Sequence, residues 1–152
     1  MATAQEHLNN PPSMNSTVDA SGTPLERVAK LTSVIAEGGN EAQQLRQAPA
    51  DTIGKLVDAG LFRMAIPTEL GGDNLTANET IEVLEAVAAI DGSIGWNLML
   101  GSEINAMAAG GMDKALAKEV YLDNPRVIMC GGGGPGTTPS RAVAQPDGSV
   151  KV

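Results

Sequence analysis

Aromatic side chains are scarce in this chain of 152 residues, which contains one Phe, one Trp and one Tyr. Apolar residues still make up 42% of the sequence, so a core has to be built from Leu, Val, Ile, Ala and Met. A chain of this length is typical of one domain, with room for a fragment of a second.

Cysteine and histidine each occur once, which excludes several kinds of site. Cys130 cannot form an intrachain disulfide, and the lone His7 lies in a polar N-terminal stretch, too remote to activate it as a nucleophile. A histidine-ligated metal site and a Ser–His–Asp set are not expected either. We expect Cys130 to be a small buried residue.

Basic residues are also few, with ten Lys and Arg against eighteen Asp and Glu and a formal net charge of −8. This charge argues against nucleic acid or an anionic membrane as a partner. The sequence has no apolar run of the roughly 20 residues that span a bilayer, and residues 1–22 lack the features of a signal peptide. We therefore expect a cytoplasmic protein.

Helix signals begin after a polar N-terminal stretch. Residues 1–22 are rich in Asn, Ser, Thr and Pro, and we predict that they form a disordered tail. Thr23 and Glu26 have the spacing of a capping box, and Thr76 and Glu79 repeat it. Each pair should start a helix.

The segment between the two capping boxes contains further breaks. A stripe of helical period follows the first box and is interrupted at Gly38-Gly39. Pro49 should open another helix, which Gly60 ends as a left-handed cap. Residues 61–67 are short and apolar, so we expect a buried extended connection.

Residues 94–109 form a helical segment that is apolar nearly all round, as is typical of the centre of a bundle. Ser93 can cap this helix and Gly110-Gly111 can stop it. A last short helix should follow from Asp113 and end before Pro125.

Four residues of the central helix are candidates for a ligand-binding surface: Trp96, Met99, Leu100 and Glu103. Their spacing of i, i+3, i+4 and i+7 puts them on one face. Core packing is the simpler explanation of such a stripe. Glu103 fits it poorly, because a carboxylate on a buried face needs a partner or a wet cavity.

The periodicity changes after Pro125. Residues 126–130 form a short β-like run, and the segments 141–144 and 149–152 flank Gln145-Pro146-Asp147-Gly148, a plausible hairpin turn. We therefore predict a mainly α fold, in which a helical bundle is followed by a truncated β segment. The predicted division is a tail over 1–22, a helical domain over 23–124 and an incomplete β domain over 125–152.

A glycine run follows the β-like segment, and residues 131–136 formally satisfy the G-x-G-x-x-G pattern. A dinucleotide site would need a helix next, whereas Pro135 and Pro139 indicate irregular chain. Glycines still let the backbone approach a flat ligand closely, although a flexible link between domains explains them equally well. We take Cys130, Gly131 and Gly132 as candidate cofactor-binding residues.

Three motifs resemble the acyl-CoA dehydrogenase superfamily over about residues 25–152. Residues 66–72 (Ile-Pro-Thr-Glu-Leu-Gly-Gly) resemble its I-P-x-x-x-G-G element, and residues 91–96 (Asp-Gly-Ser-Ile-Gly-Trp) resemble the start of a helix that faces substrate and flavin in its monooxygenase branch. Arg141-Ala142-Val143 with Asp147-Gly148 is similar to a hairpin of that branch, with Ser140 in place of a glycine. The resemblance implies the N-terminal helical domain of an enzyme that continues with a β domain and a four-helix bundle.

The resemblance also implies a function. Residues 132–138 lack the acidic T-E-P-x-x-G-S-D stretch usual in the dehydrogenases, which favours a two-component monooxygenase that hydroxylates an aromatic or heterocyclic substrate. Such an enzyme uses FAD or reduced FMN with O₂, a separate flavin reductase and a homotetrameric assembly. Trp96, Met99, Leu100 and Glu103 would then contact the substrate.

Two other functions stay open at this point. One is an FAD-dependent acyl-CoA dehydrogenase acting on CH–CH groups, and the other is a stand-alone helical interaction domain without activity. In either enzyme the catalytic residues would lie beyond Val152. We therefore assign none within this chain, and we expect it to be inactive alone.

Overall fold

The computed structural model describes residues 20–131, 143–146 and 150–151. The predicted tail falls outside these residues over positions 1–19. The described part is mainly helical, which confirms the predicted fold class. Its six helices are α1 (Pro24–Lys30), α2 (Thr32–Leu45), α3 (Ala50–Asp58), α4 (Ala77–Ile90), α5 (Gly92–Gly111) and α6 (Lys114–Leu122).

Both predicted capping boxes are present. Thr23 Oγ1 accepts a hydrogen bond from the Glu26 backbone N–H at 3.3 Å, and Glu26 Oε2 accepts one from the Thr23 N–H at 2.8 Å. Thr76 and Glu79 form the same reciprocal pair at the start of α4. These bonds satisfy N–H groups that have no partner in the first turn of a helix, which explains why a four-residue pattern located both helix starts.

Helix α2 continues through Gly38 and Gly39, so the predicted interruption is wrong. Both glycines are buried where other elements come close. A Cβ on Gly38 would lie 2.9 Å from Thr52 Cβ, and a Cβ on Gly39 would lie 2.8 Å from Asp91 Cβ. The two glycines therefore allow α3 and the start of α5 to approach α2.

Residues 61–67 are buried as predicted, but they are not extended. Gly60 has a left-handed backbone (φ 69°) and leads into the 3₁₀ turn Leu61–Arg63. A second 3₁₀ turn, Thr68–Leu70, ends at Gly71, which is also left-handed (φ 81°). Tight turns let the chain bury several consecutive apolar side chains on the same cluster, which an extended segment with alternating faces would not do.

The Arg63 side chain is buried in this connection, and backbone carbonyls surround its guanidinium group. It donates to the carbonyls of Gly71 at 3.3 Å, Pro125 at 3.0 Å and Tyr121 at 3.0 Å, and also to that of Leu70. Arg63 thus joins the turn of the I-P-x-x-x-G-G motif to the end of α6, which gives that motif a structural role.

Two clusters make up the apolar core. The larger cluster packs α1–α5 around the first 3₁₀ turn, and its buried members are Val28, Ile35, Leu56, Val57, Leu61, Phe62, Met64, Val83, Val87, Ile94 and Leu98. The smaller cluster packs α6 against the end of α5 and the second 3₁₀ turn, with Ile66, Leu70, Ala109, Ala117 and Tyr121 buried. Aliphatic side chains dominate both, as the composition predicted.

Two short strands follow the helices. Val143–Ala144 (β1) pairs antiparallel with Val150–Lys151 (β2), in the register Val143–Lys151 and Ala144–Val150, which agrees with the predicted hairpin. The predicted β-like run over 126–130 is not a strand. The Met129 N–H and the Val127 carbonyl bond to the Asn105 side chain, and the Val127 N–H bonds to the Asn124 carbonyl.

Candidate functional site

Helix α5 carries the first half of the candidate site, and Asp91 determines where it starts. Asp91 Oδ1 accepts hydrogen bonds from the backbone N–H groups of Ser93 and Ile94, both at 2.9 Å, and from Ser93 Oγ at 2.6 Å. Asp91 is therefore the N-cap, and the prediction that Ser93 caps this helix is wrong. The hydrogen bonds from Ser93 and the Ile94 backbone lower the pKa of the Asp91 carboxyl.

The far end of α5 also differs from the prediction. Gly110 and Gly111 are the last two residues of the helix and Met112 is its C-cap, so the two glycines do not follow the helix as a stop. Both are exposed, and a Cβ on either would meet nothing within 4 Å. A pair of glycines marks a helix end only where a left-handed backbone is adopted, which neither glycine does.

The two sides of α5 have different surroundings. One side is buried in the core through Ile94, Leu98, Gly101, Ser102, Asn105 and Ala109. On the other side large apolar side chains are exposed, with Trp96 at 60%, Leu100 at 37% and Met107 at 68%. The sequence predicted a helix surrounded by core, and the structure corrects this to a helix with one open apolar face.

All four predicted substrate-binding residues lie away from the buried side. Trp96, Leu100 and Glu103 are exposed, and Met99 is half-buried. The core-packing explanation therefore does not hold for Trp96 and Leu100. Glu103 is exposed to solvent, so its carboxylate needs no buried partner. Among the described residues these four form a mixed surface, mostly apolar, with one carboxylate at its edge.

Cys130 and Gly131 reach the same helix from the other end of the described chain. Both are exposed, so the expectation that Cys130 is buried is wrong. A Cβ on Gly131 would lie 2.6 Å from Ile104 Cδ1, so the backbone of Gly131 passes close to the end of the Ile104 side chain on α5. The third candidate cofactor-binding residue, Gly132, lies outside the described residues.

Asn105 connects α5 to the segment that leads to Cys130 and Gly131. The sequence analysis did not identify this residue. Its side chain is fully buried, donates from Nδ2 to the Phe62 carbonyl at 3.0 Å, and accepts at Oδ1 from the Met129 N–H at 2.8 Å. Nδ2 also lies 3.4 Å from the Val127 carbonyl. An Asn in a helix has no distinctive spacing, and these partners are 22 to 43 residues away.

A cavity of about 250 Å³ lies elsewhere, lined in part by Arg27, Lys30, Lys55 and Asp58. It contains none of the candidate residues. Its basic side chains lie in the last turns of α1 and α3, where cations complement the exposed carbonyl groups of helix ends. Arg27 is also buried and bonded there, because it donates to the Ala59 carbonyl at 2.7 Å and pairs with Asp73 at 2.6 Å. We assign the cavity no ligand.

Two other kinds of site are missing from the described residues. No group of three or more His, Cys, Asp or Glu is placed there to hold a metal ion. None of the helices in the same part of the chain is long and apolar enough to cross a bilayer.

A family model for the acyl-CoA dehydrogenase N-terminal domain matches residues 25–119. The chain belongs to this family. The match runs from α1 into α6, so it includes the exposed face of α5 and ends before Cys130.

Three curated proteins are similar to parts of this acyl-CoA dehydrogenase N-terminal domain. Indole-3-acetate monooxygenase of Acinetobacter baumannii is 30% identical over 82 residues, which are 54% of this chain and 21% of the relative. Pigment production hydroxylase of a Rhodococcus species is 25% identical over 113 residues, 73% of this chain and 28% of the relative. 3-Sulfinopropanoyl-CoA desulfinase of Advenella mimigardefordensis is 31% identical over 103 residues, 64% of this chain and 25% of the relative.

The chain thus spans between a fifth and three tenths of the length of these relatives. No solved structure matches it. Two of the three names describe oxygenation chemistry and the third describes a reaction of a CoA compound, so the names agree on the superfamily and differ on the reaction.

Proposed function

We propose that this chain is the N-terminal part of a flavin-dependent monooxygenase of the acyl-CoA dehydrogenase superfamily, which hydroxylates an aromatic or heterocyclic substrate. In this proposal α5 supplies one wall of the substrate cavity. Cys130, Gly131 and Gly132 belong to the flavin-binding backbone. A separate flavin reductase supplies reduced flavin, and the whole enzyme is a cytoplasmic homotetramer.

The exposure of Trp96 is the observation that supports this proposal best. An indole ring that is 60% exposed on a helix contributes little to the core of this chain and is available to a ligand. Leu100 lies one turn further on and Met99 beside it, so an aromatic ring can stack or pack edge-on against this face. Two relatives of the same family are named as a monooxygenase and a hydroxylase.

The residues present fit a flavin. Gly131 brings backbone without a side chain against Ile104 of α5, close to the helix that presents Trp96. In the proposal, the missing side chain at Gly131 would also let a flat ring system approach this backbone, and backbone N–H groups could face its oxygen atoms. A reduced flavin, when bound, supplies the electrons that activate O₂ for transfer of one oxygen atom to the substrate.

The residues of this chain would orient the substrate and exclude water. Trp96, Met99 and Leu100 would hold an apolar ring by contact area. Glu103, at the solvent edge of the same face, would accept a hydrogen bond from a polar group of the substrate. No residue of this chain is assigned a proton-transfer step.

The test uses the full-length protein encoded by the gene that contains this chain. It would be supplied with reduced FMN or FAD under ¹⁸O₂, with indole-3-acetate as the first aromatic probe, and products would be analysed by mass spectrometry. One labelled oxygen atom in an organic product is the expected result. Trp96→Ala should reduce its yield, whereas Leu116→Ala, at an exposed position on α6, is the matched control and should not.

An FAD-dependent acyl-CoA dehydrogenase is the second candidate. It is favoured by the similarity to a desulfinase whose name contains a CoA compound. The same preparation decides between the two. Oxidation of acyl-CoA substrates by an artificial electron acceptor, without incorporation of labelled oxygen into any aromatic probe, would replace the monooxygenase proposal by the dehydrogenase.

A further inference from the structure

Asn105 lies on the buried side of α5, and its polar atoms bond to groups outside that helix. Nδ2 donates to the Phe62 carbonyl, Oδ1 accepts from the Met129 N–H, and the Asn105 backbone carbonyl accepts from Tyr121 Oη at 2.9 Å. Leaving a buried amide without these partners would cost free energy of folding. The bonds therefore hold the segments around Phe62, Tyr121 and Met129 in place.

The segment held in this way leads to Cys130 and Gly131. Arg63 holds its beginning through the Pro125 carbonyl at 3.0 Å, and Asn105 holds its later part through the Met129 N–H at 2.8 Å. Between these two points Ile128 packs close to Gly101, where an added Cβ would lie 3.1 Å from Ile128 Cγ2. Gly101 is also on α5, so the segment is held against the same helix that presents Trp96.

We infer that Asn105 is a positioning residue of the candidate site, because it fixes the backbone of residues 127–131 relative to the exposed face of α5. The effect of Asn105 on cofactor and substrate rests on the proposed function. Its effect on the position of residues 127–131 does not depend on that function. Loss of the Asn105 side-chain amide should free residues 127–131 from α5, while α4 and the rest of the core stay folded.

Ser102 offers a matched comparison within the chain. It lies three residues earlier on α5 and is also buried (2% exposed), but its hydroxyl bonds only to backbone carbonyls of the same helix, at Leu98 and Met99. Ser102→Ala and Asn105→Ala therefore both delete a buried polar group from one face of one helix. Only the second removes bonds to residues 127–129.

The experiment measures backbone amide exchange by NMR in the unsubstituted chain and in both variants. In the unsubstituted chain the Met129 amide should be protected. In Asn105→Ala its exchange should rise by about fivefold or more relative to the amides of Val83 and Val87, which report opening of the core. In Ser102→Ala the ratio of Met129 exchange to core exchange should stay unchanged.

A nitroxide label on Cys130 gives an independent measurement, because Cys130 is the only cysteine and is exposed. The label should become more mobile in Asn105→Ala than in Ser102→Ala. An unprotected Met129 amide in the unsubstituted chain would overturn the inference without any variant. Equal acceleration of Met129 and core amides in Asn105→Ala would also overturn it, because Asn105 would then act only on global stability.

These outcomes are separate from the fate of the proposed function. If the full-length protein fails to incorporate labelled oxygen but Met129 behaves as expected, the reaction is wrong and the positioning role stands. If the oxygen label is found in product while Met129 exchanges freely, the enzyme proposal stands and the role of Asn105 is wrong.

Discussion

Asp91 combines two roles in one carboxylate. Oδ1 accepts the N–H groups of Ser93 and Ile94 and the Ser93 hydroxyl, while the side chain packs where Gly39 leaves room on α2. The residue therefore sets both the first turn of α5 and its distance from α2. Since Trp96 follows one turn later, the candidate face depends on this cap.

Replacing Asp91 should lower stability in a pH-dependent way. Asp91→Ala removes the cap and should lower the free energy of unfolding by about 1 kcal/mol. Asp91→Asn keeps a capping oxygen and isolates the contribution of the charge. The hydrogen bonds from Ser93, and then from the Ile94 backbone, lower the pKa of Asp91 in the folded state. The charge therefore stabilises the fold above the unfolded pKa of about 3.9, and this stabilisation is lost as the pH falls through the lower folded pKa.

Urea unfolding of the unsubstituted chain and of Asp91→Asn between pH 7 and pH 2.5 would measure this. We expect their difference in unfolding free energy to be present at pH 7 and to shrink below about pH 4. A difference that is constant across this range would mean that the Asp91 charge does not contribute through its altered pKa.

Trp96 and Leu98 allow a direct comparison of the exposed and buried sides of α5. Trp96 is 60% exposed and Leu98 is 0% exposed. Trp96→Ala should change the unfolding free energy by less than about 1 kcal/mol, whereas Leu98→Ala should cost about 2–5 kcal/mol through the cavity it leaves. Thermal or urea unfolding of this chain measures both. A large loss for Trp96→Ala would show that the indole ring belongs to the core.

If the proposed function holds, the same position should behave differently in the full-length protein. There Trp96→Phe should weaken substrate binding or divert reduced flavin to release of hydrogen peroxide, while melting changes little. The substrate Kd measures binding, and the ratio of hydrogen peroxide to product measures the diversion of reduced flavin. Unchanged values of both would remove Trp96 from the substrate cavity.

At the scale of whole elements, the two capping boxes were predicted correctly, whereas the Ser93 cap and the long-range contacts of the glycines were not. Thr23 with Glu26 and Thr76 with Glu79 bond within four residues, so the sequence pattern contained the whole interaction. Gly38 and Gly39 were misread, because their partners Thr52 and Asp91 are distant in sequence. The four candidate residues could be predicted from their spacing on α5. The sequence could not show which side of this helix is exposed, because the helix is apolar nearly all round and its exposure depends on the elements that pack against it.

The connection between Gly60 and α6 depends on Arg63. Its guanidinium is buried and bonds to four backbone carbonyls, which a planar fork of donors can reach at once. Burial lowers the pKa of this group from its usual value. Lys has three donors on one nitrogen and cannot span the same set. Arg63→Lys should therefore lower the unfolding free energy by about 2–3 kcal/mol.

Arg46→Lys is the control for that substitution. Arg46 is exposed at the end of α2, so the same chemical change there should stay within about 0.5 kcal/mol. Urea unfolding of both variants gives the comparison. Equal effects at the two positions would show that the carbonyl bonds of Arg63 contribute little, and that the I-P-x-x-x-G-G turn is held by packing alone.

On the scale of the whole molecule, the described residues would supply one helix face and one backbone segment to the proposed ligand site. The matched segments make up only 21% to 28% of the relatives' length, so most of each relative lies outside the part that is similar to this chain. A flavin binds tightly when protein encloses both sides of its ring system, because contact area and hydrogen bonds then act together. Trp96, Leu100 and the Cys130–Gly131 backbone are together at most one part of such an enclosure.

We therefore expect this 152-residue chain to bind FAD or FMN weakly or not at all, and to have no catalytic activity. Titration with either flavin, followed by flavin fluorescence and by quenching of Trp96, the only tryptophan, would measure the affinity. The full-length protein serves as the comparison and should bind far more tightly. Submicromolar binding by this chain alone would contradict the division of the site, because residues up to Val152 would then suffice to enclose the flavin.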